Sequence, residues 1–212
     1  ISESKSKVTG EHIRRVAEYM RILGVASGFT TDYVDKLAVA SMMHDIGKLM
    51  ISEEILDKPD KLTDEEYEII KTHPVIGANI LNEISEIPDI AIGARWHHER
   101  YDGGGYPNGL VGEQIDDIAR IVAIADVYDA MTAARSYRAP LCPFQVIKCF
   151  EDEGYQKYKT KYLLTFLKQI AATYQSNRVI LNDGRGCNIV LLNQDALSRP
   201  MVQLDDGSII DL

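Results

Sequence analysis

From residue 11 to residue 174, apolar side chains recur at helical spacing in one segment after another, which constrains most of this chain to a body of packed helices. EHIRRVAEYMRIL (11–23) sets Ile13, Val16, Ala17, Met20 and Leu23 on one stripe. Residues 32–46 set Val34, Leu37, Ala38, Ser41 and Met42 on another, and Gly47 stands where a helix C-cap is expected. Thr63 and Glu66 have the spacing of a capping box that opens a helix through Lys71, and Pro74 suits the first turn of a helix to about Ile84. Further helical patterns cover about 88–99, 116–134, 143–153 and 160–174. The run 51–62 (ISEEILDKPDKL), with its Lys58-Pro59-Asp60, reads as a loop.

After Tyr174 the texture changes. RVILNDGRGCNIVLLN and PMVQLDDGSIIDL are short Val/Ile-rich stretches punctuated by Asp183-Gly184 and Asp206-Gly207, so three or four strands joined by tight turns are expected. The expected fold is mainly α, a helical body over 1–174 with a small β appendage over 175–212 packed on the same domain.

The 212 residues suffice for one sizeable core, and no apolar run approaches the roughly 18 residues of a membrane span. Cys142, Cys149 and Cys187 are odd in number and contain no C-x-x-C pair, which indicates neither a disulfide framework nor a zinc knuckle and fits a reducing cytoplasm. A net charge of −9 argues against a nucleic-acid polymer as partner. It leaves room for a small anionic substrate, because bound divalent cations reverse the local sign. The chain begins at Ile1 rather than Met, so a fragment lacking an N-terminal regulatory domain is expected.

All five histidines, His12, His44, His73, His97 and His98, fall in the first half of the chain, inside or beside expected helices. His44 is followed by Asp45 at the end of an apolar helix, and a buried carboxylate beside an imidazole is costly unless both are paired or hold a cation. Successive helix residues project about 100° apart, so His97 and His98 are expected to face two different metal ions, with Asp45 bridging. Asp126 lies in an otherwise apolar helix, RIVAIADVYDAM, and ligation is the better reading of it than a solvent-facing position. Imidazole and carboxylate donors without cysteine suit iron or manganese, and two such ions support phosphodiester hydrolysis. Lys48 either reaches a substrate phosphate as a point charge or interacts with a helix C-terminus. Gly103 to Gly105 either form a flexible surface turn or shape the lip of a site, with Tyr106 offering a ring for base stacking and Pro107 stiffening the loop.

The ordered series HDIGK (44–48), HP (73–74), HHERYDGGGYP (97–107) and DVYDAMTAARSYR (126–138) resembles the HD-GYP subfamily of the HD superfamily of metal-dependent phosphohydrolases. The resemblance runs from about Val8 to Tyr174, and the β appendage is similar to the tail of many members. It implies an HD-type helical bundle that hydrolyses cyclic di-GMP to pGpG or GMP at a bi- or trinuclear iron or manganese centre. It also implies His12, His44, Asp45, His73, His97, His98 and Asp126 as metal ligands, and Lys48 on the scissile phosphate, with Asp45 and Lys48 as the catalytic pair. Gly105, Tyr106 and Pro107 are implied near the substrate, and Arg135 and Arg138 either near its phosphates or bases or in surface salt bridges. The same loop is implied as a docking surface for a diguanylate cyclase domain. Trinuclear members carry a glutamate one helical turn before the first histidine, where this chain has Val8, so a dinuclear centre is expected.

Three readings follow: hydrolysis of cyclic di-GMP; hydrolysis of another phosphate ester, above all cyclic GMP-AMP; and a catalytically silent module that binds a nucleotide or partner.

Overall fold

The computed structural model describes residues 7–84, 87–134 and 139–212, with side chains from residue 10 onward at the N-terminus. The first stripe lies on α1 (Lys7–Ala26), where Ile13, Val16, Ala17, Met20 and Leu23 are all buried. α2 (Thr31–Met43) starts where the Thr30 hydroxyl accepts from the Tyr33 N–H, and it buries Val34, Leu37, Ala38 and Ser41. Met42, expected on that face, is 40% exposed.

α2 stops three residues earlier than its pattern suggests, and the chain tightens into a 3-10 turn over Ile46–Met50. The reason lies at Gly47. A Cβ there would sit 1.9 Å from the His73 carbonyl oxygen and 2.6 Å from the Gly77 nitrogen. Gly47 is therefore a point of backbone contact with α5 (His73–Ile84) rather than a helix cap, and Gly77 opens the matching space on the other side. This contact brings the His44-Asp45 pair against the start of α5.

Between them lie α3 (Glu53–Leu56), a single turn where only a loop was expected, and α4 (Asp64–Ile70). α4 opens with the expected capping box: the Thr63 hydroxyl accepts from the Glu66 N–H at 3.2 Å, and Glu66 accepts from the Thr63 N–H at 2.7 Å. α6 (Pro88–Trp96) packs on α5 and α2 through small residues, with Ala78, Leu81, Ile90, Ala91 and Ala94 forming a minor apolar cluster.

α7 (Asp117–Thr132) is apolar nearly all round and is the axis of the main core, burying every residue from Ile118 to Ala125. α8 (Pro143–Lys157) and α9 (Thr160–Thr173) close over it with Val146, Ile147, Phe150, Leu163, Phe166 and Leu167.

The C-terminal strands β1 (Arg178–Ile180), β2 (Gly186–Leu191), β3 (Met201–Leu204) and β4 (Ile209–Asp211) form one antiparallel sheet in sequence order. Gly184 and Gly207 take φ values of +88° and +85° in its two tight turns, as the Asp-Gly pairs require. Alternate residues Cys187 and Ile189 on β2, with Val202 and Leu204 on β3, point into the same apolar cluster as the helices. Among the described residues no helix is long and apolar enough to cross a membrane.

Replacing Gly47 with alanine forces a methyl group into backbone that has no side chain to yield. Gly47→Ala is expected to lower the unfolding free energy of the metal-free protein by about 3 kcal/mol or more, measured by urea denaturation.

Candidate metal centre

Seven side chains from distant parts of the chain meet at one place in the bundle. α1 supplies His12, the end of α2 supplies His44, the following turn supplies Asp45, and α5 begins with His73. His97 caps the C-terminus of α6, His98 follows it in a turn, and α7 supplies Asp126 from its middle. Their donor atoms form two groups, His12 with His44 and Asp126, and Asp45 with His73, His97 and His98, each within 4.8 Å. Asp45 also touches the first group. Its Oδ2 lies 3.4 Å from His44 Nε2, while its Oδ1 lies 3.2 Å from His73 Nε2 and 3.7 Å from His97 Nε2.

The rings are locked from behind. Nδ1–H of His44 donates to the Ser41 carbonyl at 2.5 Å, that of His73 to Ile70 at 2.6 Å, and that of His97 to Ala94 at 2.8 Å. These acceptors belong to the last turns of α2, α4 and α6, whose carbonyls lack helical partners. With Nδ1–H committed to these carbonyls, each Nε2 faces inward, a bare lone pair whenever the ring is neutral. Nε2 of His73 and Nε2 of His97 are then 3.3 Å apart, two acceptors aimed at one another. His44 Nε2 and Asp45 Oδ1 are buried without a hydrogen-bond partner. Converging lone pairs and orphaned buried acceptors are what a cation would satisfy, so the donor set fits divalent metal ions of the kind that take mixed nitrogen and oxygen ligands.

Electrostatics agree. Burial would raise the Asp45 carboxyl, but Lys48 and His44 outweigh it and hold it well below the usual carboxylate range. Asp126 is likewise held low, with the bonds from His12 and His44 overcoming burial. Burial, reinforced by His97, pushes His98 down to about 2, which keeps that ring neutral and ready to ligate. His44 moves the other way: burial lowers it, yet the Asp45 and Asp126 carboxylates prevail and raise it to about 10. His12 is also raised, because its bonds to Asp126 and Asp129 prevail over burial.

A supporting layer escaped the sequence reading. Asp129, fully buried, accepts from His12 Nδ1 at 2.7 Å and from Arg15 at 2.6 and 3.0 Å. The signal was there in the pairing of two i, i+3 spacings, His12/Arg15 on α1 and Asp126/Asp129 on α7. Glu99, 3% exposed, was also missed. It accepts the backbone N–H groups of Asn108 at 2.6 Å and Leu110 at 2.9 Å, pinning the loop that follows His98. Gly105 lies against the same backbone, since a Cβ there would be 2.4 Å from the Arg100 nitrogen and 2.5 Å from the His98 oxygen. The glycine run thus lets the loop fold back on the histidines, with only Gly103 of the three at positive φ. Tyr106 then stacks on His98, ring centroids 4.7 Å apart and planes 24° apart, with Pro107 beside it.

Two expectations need correction or restriction. His97 and His98 do not diverge as a helical step would make them: their ring centroids are 4.1 Å apart and their donor atoms fall in one group, because both lie past Trp96, the last residue of α6, where the 100° step does not apply. Arg135 and Arg138 lie outside the described residues, as does the Val8 side chain. Lys48 is placed at the centre, its Nζ 2.6 Å from Asp45 Oδ2. A larger recess of about 620 Å³ lies between α8 and the sheet, is lined by no histidine, and takes no part in this site.

His44, with a pKa of about 10, holds a proton at neutral pH that a metal ion must displace. Metal binding at pH 7 is expected to release about one proton per chain, read by calorimetry in buffers of different ionisation enthalpy. Affinity should weaken as the pH falls, because protons compete for the same Nε2 atoms. Asp129→Ala, which leaves every expected ligand in place, is expected to lower metal affinity by about 10- to 100-fold, measured by competition with a chelator.

A sequence profile described as "HD domain" matches residues 1–161. The 3'3'-cGAMP-specific phosphodiesterase 2 of Vibrio cholerae is 42% identical over 146 residues, covering 68% of this chain and 28% of that protein. The cyclic di-GMP phosphodiesterase of Thermotoga maritima is 37% identical over 171 residues, covering 79% of this chain and 46% of that protein. The solved structure of Bd1817, a HDG"Y"P protein from Bdellovibrio bacteriovorus, matches with a TM-score of 0.61 over 74% of this chain and 51% of that one at 18% identity, which supports the shared fold. The chain thus spans only 28% and 46% of the lengths of these two curated relatives. With the histidine and aspartate pair at the centre of the fold and Gly105-Tyr106-Pro107 folded against it, the chain belongs to the HD domain family and is of its HD-GYP type.

Proposed function

We propose that the chain hydrolyses a phosphodiester bond of a cyclic dinucleotide, converting cyclic di-GMP to linear pGpG and onward to GMP, with two divalent iron or manganese ions. The observation that carries this is the Asp45 carboxylate, whose two oxygens face two donor groups, 3.4 Å from His44 Nε2 and 3.2 Å from His73 Nε2. Bound there, such ions supply polarisation of the phosphoryl oxygens and a nucleophile at neutral pH.

His12, His44 and Asp126 would hold one ion, His73, His97 and His98 the other, with Asp45 shared. Lys48, its side chain 39% exposed, stands beside Asp45 with its ammonium at the rim of the centre. From there it donates to the phosphoryl oxygens as negative charge builds on them. Hydrolysis adds hydroxide to phosphorus and a proton to the departing ribose 3′ oxygen. The stack of Tyr106 on His98 forms a wall beside the centre, where a base or ribose of the substrate rests. The exposed rim of the same loop is a second proposal, a docking surface for a diguanylate cyclase domain.

Cyclic GMP-AMP is the alternative substrate, favoured by the 42% identical relative named for it. A silent binding module is the weaker reading, because docking alone gives no reason to converge seven donors with their lone pairs inward.

The test is anion-exchange chromatography of products after anaerobic incubation of iron- or manganese-loaded protein with cyclic di-GMP, beside a metal-stripped control. Metal-dependent formation of pGpG or GMP is expected, and the His44→Ala/Asp45→Ala double variant is expected to form neither. Unchanged substrate in the presence of bound metal would overturn the proposal.

A further inference from the structure

We infer that the recess between α4, α5 and the Tyr106-Pro107 loop is a guanine subsite, and that Glu68 is the side chain that selects the base. The inference rests on the cyclic dinucleotide reading and adds to it the base that is recognised and the residue that recognises it.

The recess measures about 360 Å³, within the range of small-molecule sites, and Glu68, Lys71, Val75, Ile76, Tyr106 and Pro107 line it. It adjoins the proposed metal centre on two sides. Lys71 lies two residues before His73, and Tyr106 stacks directly on His98. A nucleotide whose phosphate is held at the centre therefore has its base within reach of this recess.

The walls suit a planar heterocycle, with the Tyr106 ring and the side chains of Val75, Ile76 and Pro107 offering π and apolar surface to its faces. The edge is read by Glu68. Its Oε1 accepts from Lys71 Nζ at 2.8 Å, and Lys71 in turn sits 5.6 Å from the Tyr106 ring centroid, so the carboxylate is tethered at the mouth of the recess. Its Oε2 takes no hydrogen bond among the described residues.

An ionised carboxylate only accepts hydrogen bonds. Guanine presents two adjacent donors, N1–H and the N2 amino group, and both can be received by one carboxylate. Adenine presents one donor at N6 beside an N1 lone pair, which the carboxylate repels. A glutamine amide, with one donor and one acceptor, inverts this preference, as it matches the adenine edge and leaves a donor facing a donor on guanine.

The experiment compares wild-type and Glu68→Gln protein, both metal-loaded, for kcat/KM on cyclic di-GMP, on cyclic di-AMP and on bis(p-nitrophenyl) phosphate, a diester without a base. Glu68→Gln is expected to lower the cyclic di-GMP to cyclic di-AMP ratio by at least about 10-fold, with the base-free diester and the metal content unchanged. In the His44→Ala/Asp45→Ala background, calorimetric affinity for cyclic di-GMP should fall by a similar factor when Glu68→Gln is added. An unchanged ratio, or an equal loss on all three substrates, overturns the subsite while leaving the proposed function standing. Wild-type protein that cleaves only the base-free diester overturns the proposed function, and the subsite with it.

Discussion

The Asp45 carboxylate lies between two sets of imidazoles with one oxygen toward each, and its side chain is only 16% exposed. A carboxylate in that setting is costly unless cations compensate it. In the metal-free protein the compensation comes from Lys48 and from a proton on His44, and both are weaker substitutes for a divalent ion. The elements around Asp45 are placed to deliver donors to it. Gly47 brings the turn after α2 into backbone contact with α5, and the small residues between α5 and α6 let His73 and His97 approach to 3.3 Å.

The same hydrogen bonds that finish the helices prepare the ligands. α2, α4 and α6 each end with a carbonyl that has no helical partner, and in each case a histidine ring at the helix end donates its Nδ1–H to it. One bond thus closes the helix, fixes the ring orientation and selects the tautomer whose Nε2 is free. His12 is held differently, by Asp129, which Arg15 holds in turn, because it lies inside α1 where the backbone carbonyls are already used. The centre therefore depends on helix termini on one side and on a buried ion pair on the other.

This explains what was legible in the sequence. The helical stripes, the Thr63 capping box and the Asp-Gly turns are local signals, and each appears where its pattern placed it. The seven donors were legible as a set only through the ordered motifs HDIGK, HP, HHERYDGGGYP and DVYDAM and the family resemblance they carry, and the fold brings all seven together. What failed depended on contacts between elements distant in sequence. Gly47 read as a helix cap because its spacing fits one, and only the position of α5 reveals the close approach. His97 and His98 were assigned to different ions by a helical rule that stops applying one residue too early. Asp129 and Glu99 looked like ordinary polar residues, since their burial is imposed by α1 and by the returning loop, neither of which is adjacent in sequence.

If Asp45 joins two donor groups, and valine at position 8 leaves the first turn of α1 without a further carboxylate, the number of tightly bound ions is fixed. The most direct measurement is the metal-to-protein ratio of anaerobically iron- or manganese-loaded protein after gel filtration, by inductively coupled plasma mass spectrometry. A ratio of about two per chain is the expected result for a carboxylate-bridged pair. A ratio of one would mean that Asp45 does not bridge, and three would mean that a ligand outside these seven completes a further site; either contradicts the dinuclear centre.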